Sequence, residues 1–290
     1  MAEPVYVLGG YQTDFARNWT KEGKHVTAMM REAVEGALAE TEIDPKDVQT
    51  GHVGNFAAEL YSMQGHLGAF LVETDPAFSG LPTGRHEAAC ASGSIALLAA
   101  AAELEAGRYD CALVLGVELE RNVPGDTAAA HLGAAAWVGH EAHGARFVWP
   151  TMFAAIEDAY AARWGLDRRW LGAIARQAMT AARANPHAQT RAWTFPDAAF
   201  SEDDAANPIV AGRLRRTDCA QLTDGAAGVI LASARFAREH AQRRGVPIDA
   251  FARVLGCHRC SQPRPTAPAP TPAPIRAGSC VPGYRRRVGR

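Results

Sequence analysis

The sequence predicts an α/β fold: one mixed or parallel sheet with helices on both faces. Three observations carry that prediction. Short apolar runs of strand character alternate with longer stretches of helical periodicity through most of the chain. The runs at residues 111–118 and 225–232 are apolar enough to be central strands, buried on both faces. And 290 residues at 48% hydrophobic can bury a large core in one or two domains.

Taken in order, Val5-Tyr6-Val7-Leu8-Gly9-Gly10 reads as a first strand ending in a glycine turn. Residues 25–41 place Val26, Met29, Met30, Ala33, Val34, Ala37 and Leu38 on one helical face, and Asp44-Pro45 breaks the pattern. Residues 51–56 form a second strand, 61–72 a helix, and 75–84 a Pro/Gly loop. That loop leads into a short strand at 84–89. A helix over 95–106 comes after it, with Ile95, Leu97, Leu98 and Leu104 among good helix formers and Gly107 as its stop. After the 110–118 strand, residues 120–152 are Ala/Gly-rich and read as an irregular insertion. Helices over 153–164 and 167–184 come next, the second closed by Asn185-Pro186. Residues 190–214 are loop-like, 224–232 give a turn and a strand, and 234–244 a helix.

Cys90 is the residue with the strongest chemical signature. It stands in His86-Glu87-Ala88-Ala89-Cys90-Ala91-Ser92-Gly93-Ser94, between the short strand and the 95–106 helix. Backbone N–H groups in the first turn of a helix lack intrahelical partners and stabilise an anionic nucleophile placed against them. Ala91, Ser92 and Gly93 are small enough to let a substrate approach. Burial as an inert cysteine is the competing reading, and local pattern alone weighs the two evenly.

The formal net charge is −1, but it is unevenly spread. Residues 250–290 hold 8 Arg and no Lys, Asp or Glu, which leaves 22 basic against 31 acidic residues before them. So acidic a body is not expected to bind nucleic acid. Met1-Ala2-Glu3-Pro4 carries no secretory pattern, and no apolar run reaches the roughly 18 residues of a membrane span. Six cysteines spread over the chain make no disulfide scaffold, so a cytoplasmic location is expected. Residues 256–290 hold 7 of the 17 prolines and no periodic apolar face. This tail is expected to be disordered or the product of a frameshift, since an acid-free Pro/Arg/Ala run is what a GC-rich gene yields out of frame.

Six strings in order resemble the thiolase superfamily, above all its acetyl-CoA acetyltransferase and sterol-carrier-type branch. They are Val53-Gly54-Asn55-Phe56, Glu87-Ala88-Ala89-Cys90-Ala91-Ser92-Gly93 and Leu113-Val114-Leu115-Gly116-Val117-Glu118. Asn185-Pro186-His187-Ala188-Gln189, Asn207-Pro208-Ile209 and Asp224-Gly225-Ala226-Ala227 complete the set. The resemblance runs from residue 5 to about 255 and implies a thiolase-like layered α/β/α fold. It implies one N-terminal domain over 1–255, with a loop-domain insertion at about 120–214 that covers coenzyme A.

By the same resemblance Cys90 is the nucleophile that carries the acyl group, and coenzyme A thioesters are the substrates. The reaction is Claisen condensation or, in reverse, thiolytic cleavage of a 3-ketoacyl-CoA. No tightly bound cofactor and no metal are implied, and no residue is assigned to coenzyme binding. A homo-oligomer or partner chain is implied, covering the outer face of the 95–106 helix and pairing with the strand at about residues 85–89. Thiolases draw a second Cys, a His and an Asn from a second repeat, and no string here matches those motifs. An impaired enzyme is therefore expected. Two alternatives stay open: a non-catalytic module binding acyl-CoA or a partner, and a ketoacyl-synthase-like condensing enzyme.

The remaining candidates read more simply. His140-Glu141-Ala142-His143 spaces its histidines three apart between glycines, unlike a helical zinc motif. Cys257-His258-Arg259-Cys260 lacks the turn glycines and second Cys pair of a zinc ribbon. Cys111 is expected in a buried strand and Cys219 in a turn. His25, His52 and His66 are core or surface residues, whereas His86 is weighed as a tuner of the cysteine. Glu87 is expected to brace its strand, and Tyr61 and Met63 to pack within a helix. Gly225 is expected to supply a positive φ to the Asp224 turn.

Overall fold

The computed structural model describes residues 3–255. Its strands are β1 (Val5–Gln12), β2 (Thr50–Gly54), β3 (Thr83–His86), β4 (Cys111–Glu118), β5 (Ile209–Ala211), β6 (Leu214–Arg215), β7 (Gly225–Ser233) and β8 (Ala252–Arg253). The helices are α1 (Val26–Thr41), α2 (Ala58–Ser62), α3 (Ser92–Glu105), α4 (Gly125–Leu132), α5 (Val148–Trp164), α6 (Arg169–Ala184) and α7 (Ala234–Arg244). The mixed sheet runs in the order β3-β2-β4-β7-β1-β8. Strands β3, β2 and β4 are mutually parallel, whereas β7 lies antiparallel between β4 and β1.

Helices cover both faces, as the alternation predicts. On one face Met29, Met30, Ala33 and Val34 of α1 and Ala237 and Ala241 of α7 meet Leu113, Leu115 and Ile230. On the other, Ala96, Ala100, Ala101 and Leu104 of α3 meet Val5, Ala112, Val114 and Leu231. Odd and even residues of β4 thus serve opposite layers, the period-two rule at a strand buried on both sides. Each fully buried large side chain among them contributes about 1.5–3 kcal/mol gross. Val114 and Leu113 cannot exchange layers without a register slip.

The sequence misplaces several local elements. One helix over 61–72 is expected, but α2 ends at Ser62 and a separate 3₁₀ segment runs Leu67–Glu73. Left-handed Met63 (φ 51°) and His66 (φ 60°) cut the two apart, and apolar periodicity does not reveal such a break. The strand before Cys90 stops at His86, because residues 89–91 form a 3₁₀ turn that starts α3 earlier than the expected residue 95. The insertion at 120–152 is less irregular than its composition suggests, containing α4 and the first turn of α5. Short β5 and β6 form a hairpin where the sequence predicts loop.

Within that insertion the foundation is charged. Arg168 pairs with Glu157 and, at 2.5 Å, with Asp218, all three side chains no more than 7% exposed. By contrast Phe153, Ile156, Tyr160 and Trp164 of α5 and Trp170 and Ile174 of α6 are exposed. The 256–290 tail lies outside the described residues. No described helix is long and apolar enough to cross a membrane.

Candidate active site

Three parallel strands, β2, β3 and β4, end at the same edge of the sheet, and the candidate site is assembled from the residues just beyond each. Carboxyl ends of parallel strands are where open α/β sheets place ligands. After β3 comes the cysteine turn. Cys90 is exposed, in a 3₁₀ turn entered through left-handed Ala89 (φ 50°). Left-handed backbone is costly for a residue with a Cβ, and this turn is held by side chains on either side. The Ser92 hydroxyl accepts from the Ala88 N–H at 2.9 Å and donates to the Ala89 carbonyl at 2.6 Å. Glu87 accepts from the Ala89 N–H at 2.5 Å. Glu87 therefore braces the turn rather than the strand. Ser92 does more than leave room, a role its small size concealed.

Beyond β2, Gly54 lets the sheet meet the head of α3. A Cβ there would lie 2.6 Å from the Cα and N of Gly93. Asn55 then donates to the Val117 carbonyl at 2.8 Å and to Glu118 at 3.0 Å. The Glu118 carboxylate also accepts from the Phe56 N–H at 2.8 Å and the Ala57 N–H at 3.1 Å. Two of the six strings thus close on each other through one carboxylate. Burial pushes the Glu118 carboxyl above its ordinary range against the pull of those donors.

Past β4 stands Glu120, which no motif marks. Burial, then the charges of Glu118 and Asp224, push its carboxyl up to about 7. Asp224 is fully buried, its Oδ1 accepting from the N–H groups of Glu120 and Arg121 at 2.9 and 2.8 Å. Its Oδ2 is buried without a hydrogen-bond partner among the described residues. The glycine after it is not in a positive φ as expected. A Cβ on Gly225 would lie 2.4 Å from the Phe15 ring, so close packing is what excludes a side chain.

Other candidates fall elsewhere. His86 turns to the buried His52, whose Nδ1 lies 2.9 Å from His86 Nε2, and His52 Nε2 lies 3.0 Å from Glu103. Burial lowers the His86 pKa, with the neighbouring His52 adding to the effect. Tyr61 is buried and donates to the Ala128 carbonyl at 2.9 Å, but Met63 is 92% exposed instead of packed. Cys111 is buried, which pushes its thiol up to about 12, and Cys219 is half-buried. Two clefts, about 330 Å³ beside Arg168 and about 460 Å³ beside Gln49, do not include Cys90. Cys90 itself is exposed, and neither of these clefts marks its chemistry.

Known proteins place this architecture. The family model described as "Thiolase, N-terminal domain" matches residues 5–235. The chain belongs to that family. It is 31% identical over 237 residues to an acetyl-CoA acetyltransferase of Methanothermobacter thermautotrophicus, covering 81% of this chain and 58% of that protein. To the acetyl-CoA acetyltransferase of Methanocaldococcus jannaschii it is 32% identical over 236 residues, 81% of this chain and 57% of the relative. The chain thus spans less than three-fifths of the length of these relatives. Human mitochondrial 3-ketoacyl-CoA thiolase, solved in complex with CoA, superposes with a TM-score of 0.60 at 16% identity, covering 82% of this chain and 67% of that one. The Ltp2-ChsH2(DUF35) aldolase structure gives a TM-score of 0.58 at 21% identity, covering 81% and 57%. Both carry the thiolase-like fold.

Proposed function

We propose that this chain is a thiolase-type acyltransferase of the acetyl-CoA acetyltransferase kind, with Cys90 as the acyl-carrying nucleophile. The observation that carries the reading is the exposed cysteine on a braced, left-handed turn at the head of α3, within a thiolase N-terminal domain. Cys90 Sγ attacks the thioester carbonyl of an acyl-CoA and forms a new carbon–sulfur bond. The bond to coenzyme A breaks, and coenzyme A leaves with the proton the cysteine gave up. In this reading the Cys90 backbone N–H helps hold the oxygen on which charge develops, since the Ala91 and Ser92 N–H groups already donate to the Ala88 and Ala89 carbonyls. A second acyl-CoA then takes the acyl group by carbon–carbon bond formation, and thiolysis is the same path reversed.

Coenzyme A thioesters are the substrates in this reading, with no tightly bound cofactor. A second copy or a partner chain covers the outer face of α3 and the free edge of β3. That strand pairs only with β2 among the described residues, which supports an edge open to another chain. Three free cysteines among the described residues fit a reducing cytoplasm.

Intact mass spectrometry after incubation with acetyl-CoA tests the proposal. One acetyl group is expected on the chain, mapping to Cys90 and absent from Cys90→Ser. A chain that binds coenzyme A but never gains the acetyl group would be a non-catalytic module.

A further inference from the structure

Side chains from three elements form one hydrogen-bonded chain between the sheet and α3. His86 closes β3, His52 lies in the middle of β2, and Glu103 comes from the last turn of α3. His52 Nδ1 stands 2.9 Å from His86 Nε2, and His52 Nε2 stands 3.0 Å from Glu103 Oε2. The Thr50 hydroxyl donates to the same carboxylate oxygen at 3.1 Å. His52 is 5% exposed, and its ring stacks on that of His86 with centroids 5.1 Å apart. We propose that this chain is a pH-sensitive clamp, which holds the β3 edge and the lead into the Cys90 turn until both imidazoles are protonated. The clamp stands whether or not Cys90 carries an acyl group.

Donors and acceptors fix the proton count. A carboxylate oxygen only accepts, so His52 Nε2 carries a hydrogen towards Glu103. With both rings neutral, His52 Nδ1 is then an acceptor, and the Nε2–H of His86 donates to it. One further proton can sit on His86 Nδ1 and leave the bond between the rings unchanged. A second sets N–H against N–H at 2.9 Å and removes the acceptor between them.

Other charges around β3 are turned elsewhere. His52 is the one titratable residue of β2, and Glu105, the other charge on α3, is exposed. Arg85 takes the opposite face of β3 and donates to Glu59 at 2.8 Å. Glu87 accepts from the Ala89 N–H at 2.5 Å. A Cβ on Gly51, on the side of β2 opposite to His52, would meet Leu71 at 2.4 Å. The 3₁₀ segment with Leu71, together with its His66 and Glu73, therefore lies across the sheet from the clamp.

Burial lowers the His86 pKa, the His52 charge adds to that, and Glu103 opposes both. Below about 6.5, the ordinary histidine value, an open form takes up a proton that the closed pair refuses, so stability falls as pH falls. Little else holds the strand. β3 is four residues long and pairs with β2 alone among the described residues. Its last backbone bond before the Cys90 turn runs from the Asn55 N–H to the His86 carbonyl at 3.1 Å.

Hydrogen exchange on the peptide spanning residues 83–91 tests the clamp, with the pH dependence of free-amide exchange divided out. An open form that titrates near about 6.5 gains about tenfold in population between about pH 7.5 and about pH 5.5. Wild type should lose protection in this peptide by that factor, while amides of β4 and β7 keep theirs. His86→Gln is the decisive variant. Its amide can donate to His52 Nδ1 or, turned over, accept from it, and it does not titrate. Protection in His86→Gln should stay level over the same range. An equal loss in His86→Gln, level protection in wild type, or a loss shared by β4 and β7 would each overturn the clamp. If His86→Gln does not fold, imidazole ¹⁵N spectra of wild type carry the test. At about pH 7.5 they should show hydrogen on both Nε2 atoms and none on His52 Nδ1. Hydrogen on His52 Nδ1 with none on His86 Nε2 would overturn the assignment.

Discussion

The charged form of Glu120 is opposed by burial and by two carboxylates, and that arrangement leaves a thermodynamic trace. Its carboxyl titrates at about 7 in the folded chain against 4.5 for the free side chain. Below pH about 4.5 both folded and unfolded states hold the proton, so the group adds nothing to pH dependence. Between about 4.5 and about 7 the unfolded chain releases the proton while the folded chain keeps it, and stability falls as pH rises. Above about 7 both states are ionised and the penalty is constant. Glu120→Gln removes this titration and keeps the shape of the protonated acid. Its stability relative to wild type is therefore expected to grow from about pH 5 to about pH 8. Urea melts at the two pH values measure this, and an unchanged difference would mean that Glu120 is ordinary.

Among the elements, the junction of β2 with α3 is the one that sets where the cysteine turn lies. Gly54 and Gly93 meet backbone to backbone, yet they are not equivalent. A Cβ on Gly54 would enter the Gly93 backbone at 2.6 Å, whereas a Cβ on Gly93 meets nothing within 4 Å. Gly54→Ala should cost about 1–3 kcal/mol by overpacking, since neither a strand nor a helix head yields easily. Gly93→Ala, inside α3, should gain about 0.5–1 kcal/mol. Chemical denaturation of both variants checks the contrast; equal effects would show that the junction is loosely packed. The left-handed Met63 and His66 show the same lesson: an apolar pattern carries through a backbone break that only local geometry reveals.

On the scale of the whole molecule, the chain rests on two kinds of foundation. The sheet is held by two apolar layers, while the segment between β4 and β7 leans on the Arg168, Glu157 and Asp218 cluster. Arg168→Met would leave two buried carboxylates without their cation. Removing one partner of such a group costs about 3–5 kcal/mol. Hydrogen exchange is expected to quicken in α5 and α6 while β1, β4 and β7 stay protected. Uniform acceleration across the sheet would show that the two parts unfold as one.

The sequence by itself determined the α/β class, the order of the long elements and the family, because apolar periodicity and short motif strings are local properties. Val114 facing one layer and Leu113 the other follows from alternation alone. It also singled out Cys90, whose small neighbours and following helix lie within a dozen residues. Tertiary structure alone decided the rest of the candidate site. Glu118 meets Phe56 and Ala57 across 62 and 61 residues, and Asp224 reaches Glu120 across 104. A carboxyl's charge depends on what folding brings within a few ångströms and on how much water it removes. Neither quantity is written in the spacing of residues along a chain.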